Sequence, residues 1–130
     1  MTPAKDANDP ACAQVIVGLP DTIGGFAKRT TNAQATGAWG DPVAIQLVCG
    51  ETPSGPTTER CVDVSGVDWI VDESKAPLYR LEAYGRTPGL VVYVDNTKAS
   101  GTEVVTALKS LVGLLPQTRK CTSVAQTIDG

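Results

Sequence analysis

Apolar positions follow a helical spacing near both ends of the chain and a strand-like spacing between them. Cys12, Val15, Ile16 and Leu19 fall on one helix face. Asp9-Pro10 precedes them, an N-cap carboxylate followed by a proline at the first helical position. Gly18 and Pro20 end that short helix. Ile23-Gly24-Gly25 reads as a turn, and Phe26 to Thr31 as a weakly patterned basic strand. Residues 32–42 read as a loop with Trp39 near its end.

Val43 to Cys49 is apolar, β-branched and bounded by Pro42 and Gly50, so it predicts a central strand. Residues 50–60 are rich in Gly, Pro and Thr and predict a surface loop. Cys61–Val64 and Val67–Asp72 predict two short strands around Ser65-Gly66, or one strand bulged there. Leu78 to Tyr84 alternates, with Leu78, Arg80, Glu82 and Tyr84 on one side and Tyr79, Leu81 and Ala83 on the other. Leu90–Val94 predicts a buried strand. Ser100 and Glu103 stand three apart as a capping box. The apolar face that follows, from Val104 to Leu115, predicts one helix that Pro116 stops.

The expected order is helix, five or six strands, helix. Strands and helices do not alternate, which excludes a doubly wound parallel sheet. The expected fold is α+β: an antiparallel β-sheet of five or six strands, with an N-terminal and a C-terminal helix packed on one face, and two disulfides. Residues 1–8 read as a flexible lead, 9–121 as one globular domain and 122–130 as a tail.

Composition narrows the function classes. Eleven basic against fourteen acidic residues leave a formal charge of -3, which argues against a nucleic-acid partner. The sequence has no histidine, so Ser-His and Cys-His catalysis and most transition-metal sites are excluded. Four cysteines occur, at Cys12, Cys49, Cys61 and Cys121, and none forms a C-x-x-C pair. Two disulfides and an oxidising compartment are the expectation. Three pairings are possible. We favour Cys49–Cys61 across neighbouring strands and Cys12–Cys121 between the two helices. No run of apolar residues is long enough for a transmembrane segment or a signal peptide. The expectation is therefore that a signal sequence has been removed, and that any lipid-bearing cysteine lies upstream of this chain.

Candidate chemistry is sparse. Asp63, Asp68, Asp72 and Glu73 do not follow the alternate-position pattern of a calcium loop, so no metal is expected. Asp41, Asp63, Asp68 and Glu82 are carboxylates available for glycoside hydrolysis, but no spacing selects a pair. Ser54 and Ser65 lack a nucleophile elbow and a histidine base. No catalytic residue and no cofactor is expected. Trp39 and Trp69 read either as exposed anchors for a partner or as core residues, and core is favoured. Arg86 and Arg29 could clamp an anion, or tie loops to carboxylates such as Asp41.

A wider pattern connects these segments. Ala38-Trp39-Gly40-Asp41-Pro42 leads through Ile45-Gln46-Leu47-Val48-Cys49-Gly50 to Val62-Asp63-Val64-Ser65-Gly66-Val67-Asp68-Trp69. Tyr84-Gly85-Arg86-Thr87-Pro88 follows, then an apolar strand and a closing helix. This resembles the actinobacterial domain-of-unknown-function family 3515, across nearly the whole of Asp9 to Cys121. The family often has arginine before its cysteine-glycine pair, where Val48 stands here. The resemblance implies a secreted protein or lipoprotein of the cell envelope, and it transfers no catalytic residue.

The expected function is a non-catalytic extracytoplasmic domain that binds another envelope or membrane protein, with a possible upstream lipid anchor. The alternative is a small-ligand or glycan-binding module in which Trp39, Trp69 and Arg86, with Asp41 nearby, line one pocket. A carboxylate-dependent hydrolase is a third.

Overall fold

A computed structural model describes residues 3–53 and 60–121. The expected tail at 122–130, the start of the lead and residues 54–59 of the expected surface loop, Ser54 included, lie outside the described residues.

Helix α1 (Pro10–Val17) starts as the sequence predicts, with the Ala11 N–H donating to Asp9 Oδ1 at 2.9 Å. Eight strands follow rather than five or six. They are β1 (Thr22–Ile23), β2 (Phe26–Arg29), β3 (Thr36–Trp39), β4 (Ile45–Glu51), β5 (Cys61–Val64), β6 (Val67–Asp72), β7 (Leu78–Ala83) and β8 (Gly89–Asp95). The expected C-terminal helix is two short pieces, α2 (Gly101–Ala107) and α3 (Lys109–Val112), separated at Leu108. The domain is mostly β.

All eight strands form one sheet in the order β1-β2-β3-β4-β8-β7-β6-β5, and every neighbouring pair is antiparallel. Two four-stranded meanders are thus joined where β4 pairs with β8. β5 and β6 form a tight hairpin. Ser65 and Gly66 at its tip both have positive φ, at 54° and 89°, as a type I′ turn requires.

The expected pair of helices side by side on one face is not what forms. α1 lies against β4 at the middle of the sheet, whereas α2 touches both β1 and β5, the two ends of the strand order. A flat sheet of eight strands would hold its edges roughly 34 Å apart. A helix is only about 10–12 Å across. The sheet therefore curls until both edges reach α2.

The main core fills the inside of this curl. It joins Cys12 and Val15 of α1, Ile45 and Leu47 of β4, Val92 and Val94 of β8, and Val104 and Val105 of α2. Trp39 and Trp69 belong to it. A smaller cluster of Cys61, Ile70 and Tyr84, with Cys121 packed against it, lies on the other side. The two clusters explain a second correction. The disulfides are Cys12–Cys49 and Cys61–Cys121, with Cα separations of 5.6 and 6.0 Å, not the favoured pairs. Cys49 and Cys61 lie in β4 and β5, with β8, β7 and β6 between them. That places them roughly 19 Å apart along the sheet at ordinary strand spacing, beyond the reach of a bridge. Cys12 and Cys121 lie in different clusters, and so cannot meet either.

Each bridge fixes an end of the domain. Cys12–Cys49 ties α1 to the central strand. Beside it, the Asp6 N–H donates to the Gly50 carbonyl at 2.9 Å, and Ala7 is buried, so this part of the lead is docked. Gly50 has φ +105°, and a Cβ there would run into the Asp6–Ala7 backbone. At the other end, Cys61–Cys121 holds the segment that follows α3. That segment crosses Gly85, whose carbonyl accepts the Thr118 N–H at 2.6 Å.

Candidate functional site

The four residues singled out as binding candidates do not converge. Trp39 is fully buried, and its indole N–H donates to the Pro20 carbonyl at 3.0 Å. It caps the core beneath the chain leaving α1. Asp41 is 93% exposed and lies 3.7 Å from Arg29, which also donates to the Gly40 carbonyl at 3.0 Å. This is the loop-tying role expected of such an arginine. Arg86 donates to the Leu115 carbonyl at 2.9 Å and pairs in a bridge with Gln117, so it fastens the segment that follows α3. Trp39, Trp69 and Arg86 therefore do not line one pocket.

Trp69 stands apart. It is 1% exposed, and its indole N–H has no hydrogen-bond partner, the one buried side-chain donor or acceptor so placed among the described residues. A buried donor left unmade costs about 1–3 kcal/mol. The same ring borders a cavity of about 240 Å³ in the seam between α2 and the β5–β7 end of the sheet. Alternation along the strands builds its walls. Val62 and Val64 of β5, Val71 of β6 and Leu81 of β7 all line it, and Val105 lines it from α2. Trp69 sits opposite Val62 on one side and Ala83 on the other in the register.

The mouth is polar. Ser100 and Thr102 stand at the start of α2, where the Glu103 N–H donates to Ser100 Oγ at 3.4 Å as the capping box predicts. Arg60 and Glu73 form an ion pair at 2.9 Å across the same rim. Asp63 also borders it, and its Oδ1 accepts the Gly66 N–H at 2.8 Å. At about 240 Å³ the space falls short of the roughly 300–1,000 Å³ typical of drug-sized ligand sites. Two more open depressions lie elsewhere, one at Val43, Leu78 and Tyr93 and one at Arg29, Thr31 and Gln46; neither contains a buried orphan group.

Carboxylates elsewhere are engaged. Asp68 lies directly opposite Asp63 in the register, and its Oδ2 accepts the Cys121 N–H. Glu82 is 2% exposed and lies 3.5 Å from Arg80. Burial works against the Arg80 charge, but a hydrogen bond with Tyr93 and the Glu82 carboxylate outweigh it and raise its pKa. Hydrogen bonds from the Ser74 side chain and backbone hold Asp72 below the ordinary carboxylate value, and those from Thr97 do the same for Asp95. Both turns lie at strand ends. No group of three or more Cys, Asp or Glu side chains is placed to hold a metal among the described residues.

Of the cavity residues, sequence reasoning found Trp69 and the Ser100 cap, and it placed Asp63 on a strand. It missed Val62, Val64, Leu81 and Val105 as walls. Their alternation was visible, but nothing in it reveals that α2 returns to the β5 edge.

Residues 1–120 match the profile of a family described as "Protein of unknown function (DUF3515)". No curated protein and no solved structure matches the chain.

Proposed function

Because the chain belongs to the DUF3515 family of proteins of unknown function, we propose its role from its own geometry: a non-catalytic extracytoplasmic domain that binds a small molecule between α2 and β5–β7. The observation that carries this is the cavity bordered by Trp69, a buried ring whose donor has no partner in the protein. Apolar walls with a few polar groups at the mouth are the usual build of a ligand pocket. Two disulfides support an oxidising compartment, and among the described residues no helix is long and apolar enough to cross a membrane. A secreted or lipid-anchored member of an actinobacterial envelope is the setting we propose.

The protein-binding reading loses the feature that motivated it, since neither tryptophan is exposed. Hydrolysis is disfavoured because the two carboxylates at the cavity are committed, Glu73 to Arg60 and Asp63 to Gly66.

Thermal shift against a panel of small envelope metabolites tests the proposal. A ligand that raises the midpoint of the native protein, but not that of Thr102→Trp, supports it. Thr102 is exposed at the mouth, so tryptophan there blocks entry without disturbing the core. Equal stabilisation of both proteins would reject the site.

A further inference from the structure

Given the proposed binding of a small molecule between α2 and β5–β7, the charges and rings around the cavity select what enters. Among the described residues, the charged side chains that line it are Arg60, Asp63 and Glu73. Arg60 and Glu73 offset each other in their 2.9 Å ion pair. Asp63 is not offset in this way. Its Oδ1 accepts the Gly66 N–H, and the carboxylate keeps its negative charge. Asp68 stands opposite it in the register and adds a second negative charge nearby. The start of α2 also lies at the mouth, but Glu103 in its first turn offsets the positive end of this short helix. The mouth is therefore net negative and repels an anion.

Further in, the rings of Trp69 and Tyr79 line the same space. The face of an aromatic ring attracts a cation. Val62, Val64, Val71, Leu81 and Val105 give a full charge no partner, so a charged head stays at the mouth while an apolar body enters.

We propose that the ligand is an organic cation, an ammonium head on an apolar body. The head rests at the mouth beside Asp63. The body lies among the aliphatic walls and the two rings.

The test uses the full disulfide-bonded chain labelled with ¹⁵N and probes that share a six-carbon body: hexylammonium, 1-hexanol and hexanoate. The backbone amides of Val62 and Val64 report binding. The expected result is a saturable shift of both, with hexylammonium about threefold tighter than hexanol, as a half-open ion pair allows, and hexanoate weakest. Asp63→Asn keeps an oxygen for the Gly66 N–H and removes the charge. It should weaken hexylammonium about threefold and leave hexanol unchanged. Hexanol or hexanoate binding as tightly as hexylammonium, or a hexylammonium affinity unchanged in Asp63→Asn, would overturn the assigned ligand class while leaving the cavity a binding site. No saturable shift of those amides with any probe, or shifts unchanged in Thr102→Trp, would overturn the binding site itself.

Discussion

The backbone N–H of Cys121 donates to Asp68 Oδ2 at 2.9 Å, across 53 positions of chain. Asp68 also faces Asp63 directly in the β5–β6 register, and like charges set opposite one another are unfavourable. Each carboxylate accepts a backbone N–H instead, Asp63 from Gly66 and Asp68 from Cys121. Asp68→Ala should lower stability by about 1–3 kcal/mol, because it orphans the Cys121 donor. Asp68→Asn should lose less, since the amide oxygen still accepts and the repulsion is gone. Urea melts of the three proteins check the order; an Ala variant as stable as the parent would show that this bond does not hold the segment.

The disulfides give a second expectation. Non-reducing peptide maps should recover Cys12 joined to Cys49 and Cys61 joined to Cys121. The sequence separations are 37 and 60, so each bridge should contribute roughly 4 kcal/mol by loop closure. Replacing both cysteines of one bridge by alanine should cost on that order, measured against the parent by denaturant unfolding.

Much of the fold is legible in the chain, and the misses share a cause. Asp9, Ser100 and Glu103 mark helix starts through local hydrogen bonds, and the alternation of Val67–Asp72 and Leu78–Ala83 is strong. β3 reads Thr-Gly-Ala-Trp, which has the composition of a loop. It is a strand because β4 pairs with it along its whole length, and Leu19 and the Trp39 ring press on Gly37, where a larger side chain would collide. β1 is two residues long and exists only as the partner of β2. Such elements are set by what packs against them. The cysteine pairing failed for the same reason, since it depends on strand order, and neighbours in sequence are not neighbours in this sheet. The candidate site was half legible: Trp69 could be picked out, but its walls come from elements that meet only through the curl.

Two glycines separate steric from conformational constraint. Gly85 and Gly66 have φ of +76° and +89°. A Cβ on Gly66 meets nothing within 4 Å, whereas one on Gly85 would overlap the Arg119 backbone. Gly66→Ala should cost only the left-handed penalty, about 1–2 kcal/mol. Gly85→Ala should cost clearly more, and it should make the Cys61–Cys121 bridge easier to reduce. Thermal unfolding and the rate of reduction by dithiothreitol measure both; equal losses for the two variants would contradict the close approach.

Acid should destabilise the protein through its turn carboxylates. Ser74 lowers the pKa of Asp72, and Thr97 lowers that of Asp95, from an unfolded value near 3.8. A lowered folded pKa means that the stabilisation is fully present above about 3.8 and is lost as pH falls through the folded values. The melting temperature should therefore hold from pH 7 to pH 5 and fall below pH 4. Asp95→Asn should flatten that acid limb, because Thr97 Oγ1 and N then bond a side chain that does not titrate. An unchanged limb would place the acid sensitivity elsewhere.

The contact of α2 with both β1 and β5 bears on self-association as well. The outermost strands of an open sheet present unpaired backbone groups that another chain can extend. Here those strands are two and four residues long, and one helix shields both. A protein in which α2 came loose would uncover two sticky ends at once, one on each meander. Such molecules could add to one another head to tail without limit. The shortness of both edge strands, and the helix that touches each of them, therefore work against open-ended pairing between copies.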